Sequence, residues 1–390
     1  MTRKPLTAIV IGAGFAGEGH TIALRECGVD VQAICARTPS AVQAMASKLG
    51  VPTASTDWRR TLEQTKPDIV AIATPGGTHE EMVTAALARG CHLYCDKPLA
   101  PDSQTARRLA DQAQSAGVKH AYAATHRYDP SVAYIAELLR DGAIGQVAEV
   151  EATFRRHLHP LTPWTWYDVV SHGGGLLQNA FPHWLGILQR ALGGPLGAAM
   201  GESRVMRERA PYVPEIHDFR LRNQHRPTEE QAKQLEWRDC DAEGAFTALL
   251  RFRSPSAPPE QNGEVQVSFS VTGHPAVWPA NGFRFHGTEG TLRADGHYSF
   301  ALSRSRSGER NADGTARWEA LPVPERLLKQ LPETGDEFQR KWTALARDFV
   351  ADIRGEPIPS PDRYLTFEDG ARFQAAIDAI RNATGLQRLV

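Results

Sequence analysis

Near its start the chain reads Leu6-Thr-Ala-Ile-Val-Ile11-Gly12-Ala-Gly14-Phe-Ala-Gly17, a short apolar run followed by a glycine-rich turn and a helical stretch. In a Gly-x-Gly-x-x-Gly turn between a strand and a helix, the first glycine allows a tight turn and the second lets a pyrophosphate approach the backbone. The third glycine lets the helix pack close to the strand, and the free N–H groups of the helix start favour phosphate. The pattern alone is weak and also occurs in unliganded turns, but here the required strand, turn, helix and second strand follow in order. It predicts that a dinucleotide contacts Gly12, Gly14, Phe15, Ala16 and Gly17.

Short β-rich runs alternate with helix-length amphipathic stretches from residue 6 to about 125. This alternation predicts an α/β fold that begins with a Rossmann-type, doubly wound parallel sheet over residues 1–125. Such sheets bind ligands at the carboxyl ends of their strands. Further strands are predicted at Val29 to Ala36, Asp68 to Thr74, His92 to Cys95 and His120 to Ala124.

The second predicted strand ends Ile34-Cys-Ala-Arg37-Thr38, where a site for NAD usually has an acidic residue that binds the ribose 2′-hydroxyl. No acidic residue is present in this stretch. Arg37, with Thr38 beside it, is suited to a 2′-phosphate because a planar guanidinium matches phosphate oxygens. The sequence therefore favours NADP over NAD, although Arg37 is also compatible with an ordinary solvated arginine.

Residues 126–390 show a different pattern, with longer β-rich segments joined without intervening helices. This predicts a second α/β domain with an open, largely antiparallel sheet for substrate binding and oligomerisation. Residues 205–243 are charged and contain proline, which indicates an inserted excursion over the site or an interface. Amphipathic helices are predicted at Glu337 to Arg354 and Phe367 to Asn382, packing back across the structure.

The composition argues against a nucleic-acid-binding, membrane or exported protein. Lys and Arg number 44 against 45 Asp and Glu, a net charge of -1, so no broad field favours nucleic acid or an anionic membrane. No run approaches the length of a membrane span, and no export signal is recognisable. Five cysteines without a Cys-x-x-Cys pair indicate reduced thiols and a cytoplasmic location.

Several landmarks in order along the chain resemble the Gfo/Idh/MocA family of glucose-fructose oxidoreductases and inositol dehydrogenases. They are the glycine turn, Thr74-Pro75-Gly-Gly-Thr-His79, Asp96-Lys97-Pro98, Arg127 with Pro130, Gly173-Gly-Gly-Leu-Leu-Gln-Asn179-Ala-Phe-Pro-His183 and Gly287-Thr-Glu-Gly290. Two positions depart from the family's commonest pattern. Asp96 replaces Glu, and Asn179 replaces Asp, which makes a proton-relay role for this position uncertain.

The resemblance implies roles for individual residues. Lys97, His183 and Asn179 are expected to be catalytic, and a cis bond is expected between Lys97 and Pro98. The residues expected to touch the cofactor beyond the glycine turn and Arg37 are Thr74, Pro75, His79, Asp96, Lys97 and Arg127. For His79 a helix-start residue without a ligand is an equal alternative, and Arg127 is also compatible with a salt-bridge partner.

Hydride transfer to a nicotinamide needs a group that takes the hydroxyl proton and a group that anchors the oxygen. His183 is suited to the proton because imidazole titrates near neutral pH, and its i, i+4 spacing from Asn179 predicts one shared helix face. Lys97 follows a predicted strand and is suited to hold the oxygen or the nicotinamide ribose. By itself, a histidine beside Trp184 is more often a structural group.

An aromatic segment between the two domains is predicted to bind substrate. Aromatic faces and neutral donors suit a polyhydroxylated ligand, which indicates a carbohydrate or cyclitol. The residues predicted to contact it are His157, Trp164, Trp166, Tyr167 and Asn179. His157 and His159, with His172 or His183 completing the set, are also compatible with a metal site, but no Cys or carboxylate motif joins them, so no metal is expected.

The sequence thus predicts an NAD(P)-dependent oxidoreductase that acts on a sugar, sugar derivative or cyclitol. An alternative within the family is a tightly bound NAD used for transient oxidation during elimination or glycoside cleavage. A third alternative is a non-catalytic regulator that senses a dinucleotide. The apolar sheet faces of the second domain further predict a homodimer or homotetramer.

Overall fold

A computed structural model describes residues 4–156, 158–216, 221–273 and 281–383 of the chain. The predicted α/β fold is confirmed: a parallel sheet forms the N-terminal part and a mixed, largely antiparallel sheet the C-terminal part. His157, predicted to bind substrate, lies outside the described residues.

The N-terminal sheet has six parallel strands in the order β3-β2-β1-β4-β5-β6, so the strand order reverses between β1 and β4. The carboxyl end of β1, which leads into the glycine turn, therefore lies at the position where such folds bind ligands. The strands are β1 (Thr7–Ile11), β2 (Asp30–Cys35), β3 (Thr53–Ser55), β4 (Ile69–Ile72), β5 (His92–Cys95) and β6 (His120–Tyr122).

Helices cover both faces of this sheet, and their ends carry ordinary capping signals. Asp57 and Asp102 accept hydrogen bonds from the first turns of α3 and α5, and Gly50 ends α2 in the left-handed conformation. The helices are α1 (Phe15–Glu26), α2 (Pro39–Leu49), α3 (Trp58–Thr65), α4 (His79–Leu87) and α5 (Ser103–Ser115). The short β3 and α3 were not predicted; β3 has only three residues, Thr53-Ala-Ser55, which is too short to show strand periodicity.

The C-terminal sheet has eight strands in the order β16-β15-β14-β13-β7-β12-β11-β8, and only the pair β7 and β12 is parallel. A separate hairpin joins β9 and β10. The strands are β7 (Val147–Arg155), β8 (Leu196–Arg204), β9 (Arg209–Pro211), β10 (Trp237–Asp239), β11 (Ala245–Arg253), β12 (Glu264–Thr272), β13 (Gly282–Gly287), β14 (Gly290–Gly296), β15 (Phe300–Arg306) and β16 (Glu319–Leu321).

One face of this sheet packs on helices through alternate apolar residues, such as Phe246, Leu250 and Phe269, which are almost fully buried. The remaining helices are α6 (Pro130–Arg140), α7 (Leu176–Asn179), α8 (Phe181–Leu192), α9 (Glu229–Ala232), α10 (Glu325–Leu328), α11 (Glu337–Arg354) and α12 (Phe367–Arg381). The two long C-terminal helices begin where the sequence predicted.

Helix α11 packs back on the N-terminal part of the chain. Trp342 of α11 lies against Phe15 of the glycine turn, with ring centroids 4.8 Å apart, and against His20 of α1 at 5.9 Å. Gly19 makes this close approach possible, because a β-carbon there would lie 2.2 Å from the Trp342 ring. The C-terminal helix thus holds the segment that carries the dinucleotide motif.

Candidate active site

The glycine turn has the shape that the dinucleotide motif requires. Gly12 has φ +128, and a β-carbon there would lie 2.5 Å from the Ala73 carbonyl oxygen, so only glycine fits. A β-carbon at Gly17 would lie 2.0 Å from the Gly12 carbonyl oxygen. A β-carbon at Gly14, in contrast, would meet no described atom within 4 Å. The backbone of Gly14 is therefore open to an approaching ligand at the N-terminus of α1, as a bound pyrophosphate needs.

Phe15 and Ala16 form the first turn of α1, where backbone N–H groups are available to phosphate. The Phe15 ring is used in packing, since it lies edge-on to Trp342 and to Phe338 at 6.0 Å. Any contact of Phe15 with a dinucleotide is thus expected from its backbone.

Arg37 and Thr38 lie directly after β2, one strand away from the glycine turn, and both side chains are exposed. Thr38 precedes α2, and Pro39 occupies the first position of that helix. The Gly12 N–H donates to the Cys35 carbonyl at 2.7 Å, which ties the end of β2 to the turn. Arg37 is therefore placed for the ribose end of a dinucleotide.

The turn after β4 lies between the two domains. The Thr78 hydroxyl donates to the Pro75 carbonyl at 2.9 Å and lies 2.8 Å from the Thr74 hydroxyl, from which it accepts. A β-carbon at Gly77 would lie 2.3 Å from the Ser171 carbonyl oxygen of the C-terminal domain. Thr74 and Pro75 thus lie at a domain contact on the carboxyl edge, as predicted for the middle of a cofactor site.

His79 is completely buried and has its partners inside the protein. Its Nε2 lies 2.7 Å from the Thr74 carbonyl oxygen and its Nδ1 lies 3.5 Å from the Cys95 Sγ. Burial lowers the pKa of His79, which keeps the ring neutral. The ring is not accessible to a ligand, so His79 supports the edge by fixing the backbone at Thr74.

Lys97 follows β5 at the same edge, and the Lys97–Pro98 bond is cis, as the resemblance implied. The Asp96 carboxylate accepts from the Lys97 backbone N–H at 2.7 Å. Burial lowers the pKa of the Lys97 ammonium, whereas the negative charge of Asp96 raises it. Asp96 therefore fixes the backbone at Lys97 and supports its charge.

Lys97 and Asn179 meet across the two domains. The Lys97 ammonium donates to the Asn179 Oδ1 at 3.2 Å. The Asn179 amide donates to the carbonyls of Gly173 and Gly175 at 2.8 and 3.0 Å. An aspartate at this position has no hydrogens to donate and would turn an oxygen towards two carbonyl oxygens, so the neutral side chain suits this turn.

His183 lies in the first turn of α8, whereas Asn179 ends α7. The sequence predicted a single helix through both residues, but the helix is interrupted at Ala180, which has φ -103. Pro182 accounts for the break, because proline has no N–H to donate to a carbonyl four residues earlier. The two side chains thus come from successive short helices.

The His183 ring packs in an aromatic cluster with two residues that the sequence did not single out. Its centroid lies 4.4 Å from the His126 ring and 5.7 Å from the Tyr298 ring. His126 in turn stacks on Tyr298 at 3.8 Å. Of the described atoms, none makes a hydrogen bond with the buried Nδ1 of His183.

Electrostatics keep His183 neutral. Burial lowers its pKa well below the ordinary value, and the positive charges of Lys97 and Lys341 lower it further. Lys341 is itself fully buried and pairs with Asp129 at 2.7 Å. A neutral imidazole beside an ammonium is a base that needs no prior deprotonation.

The predicted substrate segment is held by the excursion over residues 205–243. The Trp164 indole N–H donates to the Asp239 carbonyl at 3.0 Å, and the Arg238 guanidinium lies 5.0 Å from the Trp164 ring centroid. Asp168 forms ion pairs with Arg207 at 2.8 Å and with Arg222 at 3.1 Å. The excursion therefore covers this segment and neutralises its buried carboxylate.

Trp166 and Tyr167 lie next to each other with ring centroids 5.8 Å apart. The Arg222 guanidinium lies 5.3 Å from the Tyr167 ring, and burial raises the pKa of the Tyr167 hydroxyl.

Arg127 is buried in the turn after β6, and its carbonyl accepts from Arg190 at 2.6 Å. Its position favours a role in ordering the domain junction.

Three residues that lie near this site were not predicted from the sequence: His126, Tyr298 and Arg156. His126 lies just beyond β6, so its position at a carboxyl strand end is a signal that was available. Arg156 directly follows β7. Tyr298 lies between β14 and β15, far from any motif, and no local pattern indicates its role.

Within the described ranges there is no group of three or more His, Cys, Asp or Glu residues arranged to hold a metal ion. Over the same ranges, no helix combines the length and apolar character needed to cross a bilayer.

Two family models match the chain. Residues 6–124 match the model of an oxidoreductase family with an NAD-binding Rossmann fold. Residues 132–293 match the GFO/IDH/MocA C-terminal domain. Together the two matches cover most of the chain and both parts of the site.

Curated relatives include a D-glucoside 3-dehydrogenase of Escherichia coli, 30% identical over 197 residues, which are 50% of this chain and 56% of that protein. A levoglucosan dehydrogenase of Pseudarthrobacter phenanthrenivorans is 27% identical over 186 residues, covering 45% and 48% of the two chains. The chain spans about half the length of these curated relatives.

Solved structures match over almost the whole chain. An NAD-binding oxidoreductase from Klebsiella pneumoniae has a TM-score of 0.74 at 24% identity, covering 96% of each chain. A levoglucosan dehydrogenase in complex with NADH and L-sorbose has a TM-score of 0.76 at 21% identity, covering 96% of this chain and 95% of the other. At these identities the likeness establishes the fold.

Proposed function

The chain belongs to the Gfo/Idh/MocA oxidoreductase family, and from this membership we propose that it is an NAD(P)-dependent dehydrogenase of sugars, sugar derivatives or cyclitols. The single observation that carries the proposal is the meeting of Lys97 and Asn179 beside His183 at the carboxyl edge of the parallel sheet. An ammonium and a neutral imidazole from different domains provide the anchor and the base that carbinol oxidation needs.

The residues present fit a nicotinamide dinucleotide. The open space over Gly14 and the N-terminus of α1 suit the pyrophosphate, and Thr74 and Pro75 lie towards the middle of the edge. Lys97 lies where the nicotinamide end is expected. When bound, the nicotinamide supplies the hydride acceptor or donor.

The protein's own residues position the substrate and move its proton. The Lys97 ammonium holds the reacting oxygen, and Asn179 orients that ammonium through their hydrogen bond at 3.2 Å. His183 accepts the hydroxyl proton during oxidation and returns it during reduction. The packed rings of His126 and Tyr298 exclude water from one side of His183 and fix its orientation.

We also propose that NADP is preferred over NAD. Arg37 and Thr38 follow the end of β2 in exposed positions, and no acidic residue is present from Ile34 to Thr38. A 2′-phosphate would add two negative charges beside the Arg37 guanidinium. NADH is the cofactor named with the levoglucosan dehydrogenase structure, so NAD is the alternative that a titration must compare.

A homodimer or homotetramer and a cytoplasmic location are further parts of the proposal. The outer side of the eight-stranded sheet carries Met200, which is 62% exposed, on its edge strand β8. The five cysteines are free thiols, which suits a reducing compartment. Light scattering after size exclusion tests the oligomer, and cell fractionation tests the location.

Isotope transfer tests the activity directly. The protein is incubated with NADP⁺ or NAD⁺ and a panel of sugars and cyclitols deuterated at their carbinol carbons. The proposal expects deuterium at C4 of the reduced nicotinamide for at least one substrate, and far less with the Lys97→Met variant. Complete absence of label transfer across the panel would contradict it. Dinucleotide that copurifies and shows no net turnover would instead favour transient oxidation.

A further inference from the structure

Arg156 lies beside the proposed active site, close to Lys97 and Tyr298. It directly follows β7, and its backbone N–H donates to the Thr272 carbonyl at 2.9 Å at the end of the parallel neighbour β12. Its side chain is exposed. The adjacent Arg155 points to the other side of the sheet, where its guanidinium donates to the Ser270 carbonyl at 3.2 Å.

The surroundings of Arg156 connect it to the groups that carry the proposed chemistry. Its guanidinium interacts with the Tyr298 hydroxyl and with Tyr167. Tyr298 also packs against His183, with ring centroids 5.7 Å apart. The positive charge of Arg156 is close enough to Lys97 to lower the pKa of its ammonium.

Asp96 supports the charge of Lys97, and two further carboxylates near this site are engaged with other arginines. Asp168 pairs with Arg207 and Arg222, and Glu243 pairs with Arg381 at 3.1 Å. Among the described residues Arg156 pairs with no carboxylate: its guanidinium interacts with the hydroxyls of Tyr167 and Tyr298, and its positive charge contributes to the lowered pKa values of Lys97 and His297.

Two positive charges thus lie close together at this site, and such a pair favours binding of an anion. Asp96 already supports the charge of Lys97, whereas the described partners of the Arg156 guanidinium are tyrosine hydroxyls. A planar guanidinium binds carboxylate and phosphate oxygens through two parallel hydrogen bonds. A neutral polyol offers no such partner.

We propose that the substrate carries an anionic group, a carboxylate or a phosphate, that pairs with Arg156 while its reacting carbinol lies at Lys97 and His183. This inference rests on the proposed dehydrogenase function and specifies its substrate class as acidic sugars or cyclitols. Arg156 is the residue that selects the charged substrate, and Tyr298 holds its guanidinium in place.

The test compares three probes of one stereochemistry: D-glucuronate, D-glucose 6-phosphate and D-glucose. Initial rates with each nicotinamide dinucleotide give kcat/KM, and saturation-transfer NMR with the dinucleotide-bound protein gives binding independently of turnover. The proteins are the unsubstituted chain, Arg156→Gln, and Arg155→Gln as a control that removes a neighbouring positive charge. Repetition with the galacto series covers the other common configuration.

An anionic probe is expected to bind at least about tenfold more tightly than its neutral counterpart, and Arg156→Gln is expected to abolish that advantage. Arg155→Gln should retain it. A preference for glucuronate identifies the anion as a carboxylate, and a preference for the 6-phosphate identifies it as a phosphate.

The inference is overturned if neutral and anionic sugars bind equally tightly. It is also overturned if Arg156→Gln weakens the binding of both by the same factor. In either case deuterium transfer from a neutral sugar would leave the dehydrogenase function intact. Anion-selective binding without any hydride transfer would instead support the anion site and contradict the dehydrogenase function.

Discussion

The Lys97 ammonium donates to the Asn179 side-chain oxygen at 3.2 Å, and this contact joins the end of β5 to the start of the helical part of the second domain. The same Asn179 amide donates to two glycine carbonyls of the preceding turn. One neutral side chain therefore both closes a turn and orients the ammonium at the carboxyl edge. An aspartate has no hydrogens to donate to these carbonyls.

Replacement of Asn179 by Asp is expected to lower the free energy of unfolding by about 1–3 kcal/mol, because two buried carbonyls lose their donors. Urea denaturation at neutral pH measures this difference. Asn179→Ala is the matched comparison, since it removes the donors without adding a charge. An Asn179→Asp variant as stable as the unsubstituted protein would show that the turn does not depend on the amide.

Replacement of Lys97 by Met is expected to lower kcat/KM by about 10²- to 10⁴-fold, because the group that holds the reacting oxygen is lost. Steady-state rates on the substrate found by isotope transfer measure this effect. Dinucleotide affinity, followed by nicotinamide fluorescence, should change little by comparison. A fall in affinity that matches the fall in kcat/KM would instead assign Lys97 to cofactor binding alone.

The pH dependence of kcat/KM follows from two lowered pKa values. His183 is active as the neutral base, and its pKa lies well below 6.5, so activity should persist as the pH falls below that value. Lys97 is active as the cation, and burial lowers its pKa below 10.5, so activity should fall in the alkaline range before that pH. A pH-rate profile measures both limbs. A steep loss centred at pH 6.5 would contradict the neutral, buried state of His183.

Gly14→Ala and Gly17→Ala separate ligand binding from folding. A β-carbon at Gly14 meets no described atom within 4 Å, and its backbone is extended, so stability should change by less than about 0.5 kcal/mol. The added methyl lies where a pyrophosphate is expected, so dinucleotide affinity should fall at least about tenfold. Differential scanning calorimetry and dinucleotide titration measure the two effects.

Gly17→Ala is the matched opposite case. Its β-carbon would lie 2.0 Å from the Gly12 carbonyl oxygen, so the helix must move and stability should fall by about 1–3 kcal/mol. If Gly14→Ala binds the dinucleotide as tightly as the unsubstituted protein, the ligand does not approach this turn.

Arg37→Gln tests the choice between the two dinucleotides. Loss of the charge-assisted hydrogen bonds should weaken NADPH binding by about 10- to 100-fold and leave NADH binding nearly unchanged. Fluorescence titration with both reduced dinucleotides measures the ratio. Arg140→Gln, on the exposed side of α6, is the control. Equal effects of Arg37→Gln on both dinucleotides would contradict recognition of a 2′-phosphate.

The free energy of unfolding should fall in mild acid because His20 is a buried residue of α1. Burial lowers its pKa to about 4 from 6.5, and its ring contacts Tyr94 and Trp342. The folded state therefore binds fewer protons than the unfolded state between these values, so unfolding becomes easier as the pH falls from 6.5 to about 4. At the acid end of this pH range, His20 alone lowers the free energy of unfolding by about 3 kcal/mol.

His20→Leu removes this group with little change of volume. Its free energy of unfolding should depend less on pH than that of the unsubstituted protein, as urea titrations at several pH values would show. His225→Leu, at an exposed position, is the control. Parallel pH curves for the unsubstituted protein and His20→Leu would contradict a buried, neutral His20.

The parallel sheet and its ligand edge were predictable because their signals are local. The glycine turn after β1 and the residues that follow β4 and β5 are read directly from strand periodicity and motif order. The same information does not reveal that His79 turns inward, because its two partners, Thr74 and Cys95, come from separate segments.

The substrate side of the site was less accessible to sequence reasoning. Trp164 is predicted to contact the substrate, and the structure adds that its indole N–H donates to the Asp239 carbonyl of the excursion. Tyr298 reaches His126 and His183 from a turn between two later strands. Such contacts depend on how distant segments pack together, for which a local pattern carries no signal.

The central claim is that a nicotinamide dinucleotide lies along the carboxyl edge of the first sheet, with its reactive ring between Lys97 and His183. A crystal structure of the protein with a reduced dinucleotide tests this most directly. The account predicts the pyrophosphate over Gly14 and the nicotinamide ring next to the Lys97 ammonium, with His183 on the substrate side. A dinucleotide bound elsewhere, or a nicotinamide ring remote from both side chains, would contradict it.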